Sequence, residues 1–306
     1  MCCLFGLLDY SHKMTDKEKT KVLSILSREC EIRGTDATGI AYNSGGKLCI
    51  YKRPWPARKM HFHIPQDTHV IMGHTRMTTQ GTEKHNYNNH PFLGKAGSQT
   101  FALAHNGLLY NDLTLRREQK LPKTKIQTDS YIAVQLIEQQ KALDLESLKY
   151  MAEQVEGSFC FTAMDAEDNL YLVKGDNPLY SLHFPKLCCY LYASTGEILV
   201  RAIQRLRINP KQAEEIKLGC GEILCIDSQG QMTKSKFNAE KLYQSRYYYG
   251  FGYYPAAAAN GGQKEYVESL KAVANAYGYT PDIVDRLLGH GFSPEEIEEF
   301  FYCGEV

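Results

Sequence analysis

Cys2-Cys3-Leu4-Phe5-Gly6 opens the sequence directly after Met1. A short apolar run of this kind predicts a buried β-strand at the start of the chain. An initiator methionine before a small residue is normally removed, so we expect Cys2 to become the amino-terminal residue. It would then carry a thiol nucleophile together with an α-amine, whose unperturbed pKa of about 7.7–8.0 lets it act as a base near pH 7. Taken alone, a cysteine at position 2 is more often a plain small hydrophobic residue.

The composition of the 306-residue chain argues against several classes of protein. Its 35 basic and 35 acidic residues give a formal net charge of zero, which speaks against nucleic-acid binding and against a polybasic membrane anchor. No apolar run reaches about 18 residues, and early charges at Asp9 and Asp16 are unlike a signal peptide. We therefore expect a cytoplasmic protein that does not bind membranes. The ten cysteines lack metal-ligand spacing, so neither a metal nor another cofactor is expected.

Short apolar runs alternate with helical patterns through about residue 240, as in a layered domain of strands and helices. Helices are predicted at Asp16–Cys30, with Thr15 as the N-cap, and at Asp129–Gln140. Strands are predicted at Cys2–Leu8, Ile40–Tyr42, Lys47–Lys52, Val70–His74, Phe101–Ala104, Ser158–Met164, Leu170–Lys174, Cys189–Ala193 and Glu222–Asp227. The strand Phe101–Ala104 is expected to end at a turn formed by His105-Asn106-Gly107.

The predicted domain organisation has three parts. Residues 2–245 form the main domain, residues 246–262 a linker rich in tyrosine, glycine and alanine, and residues 263–306 a module of three short helices. Two of these helices begin at Thr280-Pro281 and Ser293-Pro294, each an N-cap residue followed by proline. The module resembles a ubiquitin-associated-type three-helix fold. It is interpreted as a docking device for a partner, and a stabilising appendage is the alternative.

Six motifs in the main domain resemble, in the same order, those of the class II glutamine amidotransferases. They are Cys2-Cys3-Leu4-Phe5-Gly6, Arg33-Gly34-Thr35-Asp36-Ala37-Thr38-Gly39, Gly73-His74-Thr75-Arg76-Met77-Thr78-Thr79-Gln80-Gly81, Asn89-His90-Pro91-Phe92, His105-Asn106-Gly107 and Thr128-Asp129-Ser130. The fold implied by this resemblance is α+β, the four-layer α-β-β-α sandwich of N-terminal nucleophile (Ntn) hydrolases. It has two stacked, mostly antiparallel sheets.

The resemblance also implies a catalytic set. Cys2 would supply the nucleophile, and its own α-amine would supply the base. The Asn106 side chain and the Gly107 backbone N–H would stabilise the oxyanion of the tetrahedral intermediate, as a two-donor site.

The substrate-binding residues implied by the resemblance grip the charged end of free glutamine. Arg76 would hold the α-carboxylate through its planar guanidinium group, and Asp129 would receive the α-ammonium group. Hydroxyl contacts would come from Thr78 or Thr79, and the backbone near Gly34 would line the pocket.

Simpler structural interpretations of the same residues stay open. Arg76 could be a surface charge, Asp129 a residue favoured by the dipole at a helix N-terminus, and Asn106-Gly107 a hairpin turn. Three histidines, His74, His90 and His105, are assigned to structural hydrogen bonding, because the base is already supplied.

The sequence departs from the family pattern at three places, and the position of one motif asparagine is open. Cys3 replaces the usual glycine and introduces a second thiol beside the nucleophile. Gln80 stands where many sugar-aminating relatives have histidine, and Met77 where they have tryptophan. Either Asn88 or Asn89 can be the asparagine of the fourth motif.

The helical residues beyond the linker are too few for the synthase domain that usually accompanies this glutaminase, and no G-x-x-x-x-G-K-[ST] phosphate loop occurs. We therefore expect an amidotransferase subunit without a synthase domain. It would hydrolyse the side-chain amide of L-glutamine through a Cys2 thioester and pass the ammonia to a separate synthetase or ligase. Two alternatives stay open, an Ntn amidohydrolase acting on another γ-glutamyl amide and a non-catalytic scaffold that binds a partner.

Overall fold

In the computed structural model, the described residues are 2–242, 279–290 and the single residues 267, 270, 271, 274, 275, 294, 297 and 301. The chain divides into two compact units, Met1–Leu242 and Tyr243–Val306. The predicted linker 246–262 and most of the predicted module 263–306 lie outside the described residues. Within the second unit, a helix at Asp282–Gly289 buries Val284 and begins next to the predicted Thr280-Pro281 start.

The first unit contains two β-sheets and five α-helices among residues 2–242. The strands are β1 (Cys3–Asp9), β2 (Ala37–Ser44), β3 (Lys47–Arg53), β4 (Val70–Arg76), β5 (Phe92–Ala96), β6 (Gln99–Leu109), β7 (Gly157–Asp165), β8 (Leu170–Lys174), β9 (Tyr180–Phe184), β10 (Cys189–Ala193), β11 (Glu214–Glu215), β12 (Glu222–Ile226) and β13 (Met232–Lys236). The helices are α1 (Asp16–Glu29), α2 (Asp112–Glu118), α3 (Tyr131–Gln140), α4 (Leu145–Gln154) and α5 (Gly196–Leu206). The strand orders are β11-β9-β10-β1-β4-β2-β3 and β13-β12-β8-β7-β6-β5. All of these strand pairings are antiparallel.

Three apolar cores hold four layers together. Helices α1 and α5 pack on the outer face of the seven-stranded sheet, where Phe5, Leu23 and Leu199 belong to one apolar core. Helices α3 and α4 cover the six-stranded sheet in the same way. Between the sheets, Leu4 and Met72 pack against side chains of the opposite sheet. This arrangement confirms the predicted α+β sandwich with layers α-β-β-α.

Strand alternation decides which residues enter the space between the sheets. Successive side chains of a strand point to opposite faces. Met72 of β4 and Ala104 of β6 belong to the core between the sheets. Arg76 and Asn106 follow them on the same faces, because each lies an even number of residues further along its strand. Both therefore face the inter-sheet space at one of its ends.

The predicted N-terminal elements agree with the structure. Strand β1 covers the first apolar run, and α1 begins after a capping box. In that box Thr15 Oγ1 accepts the Glu18 N–H at 3.2 Å, and the Glu18 carboxylate accepts the Thr15 N–H at 2.8 Å. These reciprocal bonds fix the start of the helix.

The predicted end of one strand is wrong. The strand expected to end at His105-Asn106-Gly107 continues to Leu109, and Gly107 pairs with Phe159 inside the sheet. Gly107 has a φ of +145°, and a Cβ on it would lie 1.9 Å from the Ser158 carbonyl oxygen. Glycine therefore lets the strand continue at this close approach instead of turning. The hairpin-turn interpretation of Asn106-Gly107 is ruled out.

Candidate active site

Cys2 is held at the start of β1 by its backbone. The Arg33 Nε–H donates to the Cys2 carbonyl oxygen at 3.1 Å, and the Leu4 N–H donates to Ser194 Oγ at 2.9 Å. The half-buried Cys2 thiol donates to the Met77 carbonyl oxygen at 3.6 Å. Burial raises the pKa of this thiol, and the opposing effects of the Met77 contact and the Arg76 charge do not cancel the rise. The thiol therefore needs a base before it can attack.

The neighbouring thiol of Cys3 lies on the other face of β1. Its side chain is fully buried in the core beneath α1, near Cys30, and its Sγ contacts the Leu4 carbonyl oxygen at 3.4 Å. Only Cys2 of these two adjacent thiols has solvent access. The structure thus separates the two thiols by strand alternation alone.

Asn106 is fully buried, and among the described residues neither Nδ2 nor Oδ1 of its side chain has a hydrogen-bond partner. Strand β6 packs against β1, and the His74 Nε2–H donates to the His105 carbonyl oxygen at 3.0 Å. These contacts bring Asn106 to the end of the inter-sheet space where β1 begins. A buried amide without a partner loses about 1–3 kcal/mol unless another molecule supplies the bond.

Arg76 is 3% exposed at the end of β4, so its interpretation as a surface charge is wrong. One terminal nitrogen, Nη1, donates to Asn89 Oδ1 at 2.7 Å. The other, Nη2, donates to the carbonyl oxygens of Gln80 at 2.5 Å and Gly81 at 3.4 Å. Asn89 is therefore the asparagine that contacts Arg76, whereas Asn88 bonds to Gln127.

Asp129 lies two residues before α3, which begins later than the predicted helix at Asp129–Gln140. Its Oδ2 accepts the Leu109 N–H at 2.7 Å, and its Oδ1 accepts the Ser130 hydroxyl at 3.3 Å. Its own N–H donates to Gln80 Oε1 at 2.5 Å. Burial raises the pKa of the Asp129 carboxyl group, although these bonds and the Arg76 charge oppose the rise.

The remaining predicted binding residues lie around the Arg76–Met77 backbone. The Thr78 N–H donates to Asp36 Oδ2 at 2.7 Å, while the buried Thr78 hydroxyl has no partner among the described residues. Thr79 is half-buried in the same loop. A Cβ on Gly34 would lie 2.5 Å from the Arg76 carbonyl carbon, so glycine permits the close backbone approach there.

The three histidines of the motifs form a buried group behind these residues. The rings of His74 and His90 lie 4.2 Å apart, and His105 Nδ1 lies 2.8 Å from Ser130 Oγ. Burial lowers the pKa of His74 and His105 to about 3, and that of His90 also falls well below its usual value. All three imidazoles are therefore neutral at pH 7. His74 and His105 make the predicted structural hydrogen bonds, whereas both ring nitrogens of His90 lack a partner within the described residues.

Sequence reasoning missed Lys52 of β3, whose Nζ donates to the carbonyl oxygens of Asn89 at 2.5 Å and Pro91 at 2.9 Å. Burial, with a further contribution from Arg76, lowers the Lys52 pKa to about 8. The available signal was the spacing of Leu48, Ile50 and Lys52 at alternate positions of the strand. This spacing puts Lys52 on the same face as two residues that pack against the core between the sheets.

Within the described part of the chain, no group of three or more histidine, cysteine, aspartate or glutamate side chains could hold a metal ion. None of the helices in this part of the chain has the length and apolar composition needed to cross a membrane.

The sequence profile of a family described as "Glutamine amidotransferase domain" matches residues 74–201. A 7-cyano-7-deazaguanine synthase of Saccharolobus solfataricus is 29% identical over 207 residues, which cover 64% of this chain and 43% of that protein. A glutamine–fructose-6-phosphate aminotransferase of Streptococcus pyogenes is 31% identical over 188 residues, covering 58% of this chain and 30% of that protein. The chain thus carries a class II glutamine amidotransferase domain.

Solved structures support the fold of this amidotransferase domain. The glutamine phosphoribosylpyrophosphate amidotransferase of B. subtilis superposes with a TM-score of 0.60 at 22% identity, covering 78% of this chain and 49% of that chain. A second structure, of the allosteric regulatory enzyme of purine biosynthesis, gives a TM-score of 0.61 at 21% identity. In each of these comparisons the chain spans less than half the length of its relative.

Proposed function

We propose that the amidotransferase domain hydrolyses the side-chain amide of glutamine to glutamate and ammonia, with Cys2 as the nucleophile. The observation that carries the proposal is the fully buried carboxamide of Asn106, which has no partner among the described residues and lies at the end of the inter-sheet space where Cys2 lies. Arg76 and Asp129 are close enough for their charges to act on the Cys2 thiol. A cation and a carboxylate together fit the α-carboxylate and α-ammonium groups of a free amino acid.

The base for Cys2 is its own α-amine once Met1 has been removed. The motif histidines are poor proton acceptors, since burial keeps the pKa of His74 and His105 near 3. An N-terminal amine has an unperturbed pKa of about 7.7–8.0 and lies on the same residue as the thiol. It can therefore take the thiol proton and later deliver it to the leaving nitrogen.

Two covalent steps then complete the hydrolysis. The Cys2 sulfur attacks the amide carbon, and the resulting oxyanion accepts hydrogen bonds from Asn106 Nδ2 and the Gly107 N–H. The carbon–nitrogen bond breaks, the amine's proton leaves with the nitrogen as ammonia, and a γ-glutamyl thioester remains on Cys2. Water attacks the thioester, the amine accepts its proton, and glutamate and the free thiol are released.

We further propose that the ammonia passes to a separate synthetase or ligase. The relatives named above include a synthase and an aminotransferase, and the matched region covers less than half of each. Hydrolysis of another γ-glutamyl amide and a scaffold without activity are the outcomes that would replace this proposal. The cytoplasmic location expected from the sequence stays a prediction.

The test is labelling with diazo-oxo-norleucine, a glutamine-shaped electrophile, followed by intact and peptide mass spectrometry of wild type, Cys2→Ser and Cys3→Ser. We expect one adduct on an N-terminal Cys2 in wild type and Cys3→Ser, none in Cys2→Ser, and release of ammonia from glutamine by wild type. An adduct on Cys3 would overturn the nucleophile assignment. A labelled protein that releases no ammonia from glutamine favours another γ-glutamyl amide. An unlabelled protein that retains Met1 favours the scaffold.

A further inference from the structure

A chain of contacts connects Lys52 to Arg76 through the Asn89 segment. The Lys52 ammonium group donates to the backbone oxygens of Asn89 and Pro91. The Asn89 side chain is fully buried, and its Oδ1 accepts the Arg76 Nη1–H at 2.7 Å. One ammonium group thus fixes the backbone of the residue that orients the guanidinium group.

The same segment also fixes the loop that follows Arg76. Asn89 Nδ2 donates to the Glu83 carbonyl oxygen at 2.8 Å, and Arg76 Nη2 donates to the Gln80 carbonyl oxygen at 2.5 Å. Gln80 in turn bonds to the Asp129 N–H. A displacement of Asn89 would therefore also displace Arg76 and Asp129, the two residues proposed to bind the charged end of glutamine.

The surroundings of Lys52 hold this ammonium group in place. Its Nζ lies 5.2 Å from the centre of the Phe92 ring, in the range of a cation–π contact. The Asn86 side chain donates to the Lys52 carbonyl oxygen at 2.9 Å. A Cβ on Gly39, the partner of Lys52 across the β2–β3 ladder, would lie 2.1 Å from the His90 carbonyl oxygen. The Asn89–Pro91 segment is therefore clamped between β2 and the Lys52 side chain.

The charge of Lys52 also matters to the bound substrate. Lys52 and Arg76 are close enough for the Arg76 charge to lower the Lys52 pKa, and burial lowers it further, to about 8. An anion that binds beside both cations relieves this repulsion. A substrate carboxylate at Arg76 therefore favours the protonated form of Lys52.

We propose that Lys52 is a positioning residue for the substrate-carboxylate site, acting through Asn89 on Arg76 and the following loop. This inference rests on the proposed glutaminase function. Lys52 does not touch the reacting atoms, so its loss should weaken binding of the amino-acid end and leave the chemistry at Cys2 intact.

The variants are Lys52→Met, Lys52→Arg and the matched control Lys47→Met, an exposed lysine at the other end of β3. We expect Lys52→Met to raise the KM for glutamine about tenfold, in line with loss of hydrogen bonds from a charged group, with kcat changed less than twofold. Lys52→Arg should restore most of the affinity because it keeps the charge and the donors. The control should match wild type.

The pH dependence separates a positioning role from a purely structural one. Above about pH 8, the KM of wild type should rise relative to the KM of Lys52→Arg. Lys52 loses its proton in this range, whereas the variant stays charged. Lys52→Met should also be labelled more slowly by diazo-oxo-norleucine, which carries an α-carboxylate, and at the wild-type rate by iodoacetamide, which does not.

The following outcomes distinguish a failure of the proposed function from a failure of the inference about Lys52. If wild type is neither labelled nor active, the proposed function and this inference both fail. If wild type is active and Lys52→Met has an unchanged KM, only the inference fails. A fall in kcat alone, or a KM that Lys52→Arg does not restore, also overturns it. If Lys52→Met does not fold, the KM ratio of Lys52→Arg to wild type across pH 7–9 decides, and a constant ratio overturns the inference.

Discussion

Buried polar residues lie at both ends of the two stacked sheets, but they are paired differently at the two ends. At the aspartate end, formed by Asp9, Asn43 and Asp165, both carboxylates and the Asn43 Nδ2 group bond to neighbouring groups, and within the described residues only Asn43 Oδ1 of these side-chain atoms lacks a partner. Asp9 alone accepts the N–H groups of residues 11, 12 and 14 and the hydroxyl of Ser11. Asn43 Nδ2 joins the two sheets by donating to the Asp165 carbonyl oxygen at 2.8 Å.

At the opposite, cysteine end, formed by Cys2, Arg76 and Asn106, several buried polar atoms lack a partner within the described residues. Both side-chain atoms of Asn106 and both ring nitrogens of His90 belong to this group. Buried polar groups in folded proteins are almost always paired, so unpaired ones call for an explanation. The difference indicates that the aspartate end stabilises the fold, whereas the cysteine end keeps donors free for a substrate.

The same substitution made at both ends tests this comparison most strongly. Asn106→Ala should lower kcat for glutamine about 100- to 1000-fold, the usual effect of removing one oxyanion donor. Its melting temperature should stay near that of wild type, because the Asn106 side chain bonds to none of the described residues. Steady-state ammonia release and thermal unfolding measure both quantities. A melting temperature lowered as much as that of Asn43→Ala would contradict the division between the two ends.

Asn43→Ala is the matched variant at the aspartate end and should have the opposite phenotype. Its Nδ2 makes bonds of 2.8 Å to the Asp165 carbonyl oxygen and to Asp168 Oδ1. Their loss should lower the free energy of unfolding by about 2 kcal/mol, since the buried Asp165 carbonyl oxygen is left unpaired. Urea denaturation measures this change. The kcat and KM of the folded variant should stay within about twofold of wild type, and a larger kinetic defect would show that this end is coupled to catalysis.

From the sequence, the residues of the cysteine end were predicted better than the contacts that hold these residues in place. Cys2, Arg76 and Asp129 lie in short motifs, and their residue types indicate a nucleophile, a cation for a carboxylate and a carboxylate for an ammonium group. The structure brings all three to one end of the inter-sheet space. Asn106-Gly107 was harder, because the pair is typical of a hairpin turn and only the neighbouring strand explains why β6 continues.

Contacts between distant segments could not be predicted from local pattern. Lys52 reaches Asn89 across 37 positions, and Gln80 reaches Asp129 across 49. No spacing rule relates such residues, because the pairing depends on how strands β3 and β4 and the loop after β4 come together in the fold. Strand and helix periodicity, in contrast, acts within a few residues and was sufficient for β1 and α1.

A third expected effect, no larger than that of Asn43→Ala, concerns the response of the cysteine end to acid. Burial holds the pKa of His90 well below its usual value, so the folded protein keeps this imidazole neutral while the unfolded chain binds a proton below about pH 6.5. The stability contributed by neutral His90 is therefore present above that pH and lost as the pH falls. By linkage, one such group destabilises the fold by about 2 kcal/mol between pH 7 and pH 5.

His90→Phe should remove this contribution, because phenylalanine keeps a ring between His74 and Phe92 and cannot bind a proton. Urea denaturation at pH 7 and pH 5 should show a loss of stability that is smaller in the variant than in wild type by about 2 kcal/mol. Asn43→Ala serves as the control, since a change at the aspartate end leaves the three neutral imidazoles untouched and should keep the wild-type pH dependence. Equal acid sensitivity in wild type and His90→Phe would mean that His90 accepts a proton in the folded state. Water would then reach the cysteine end more freely than its unpaired polar atoms indicate.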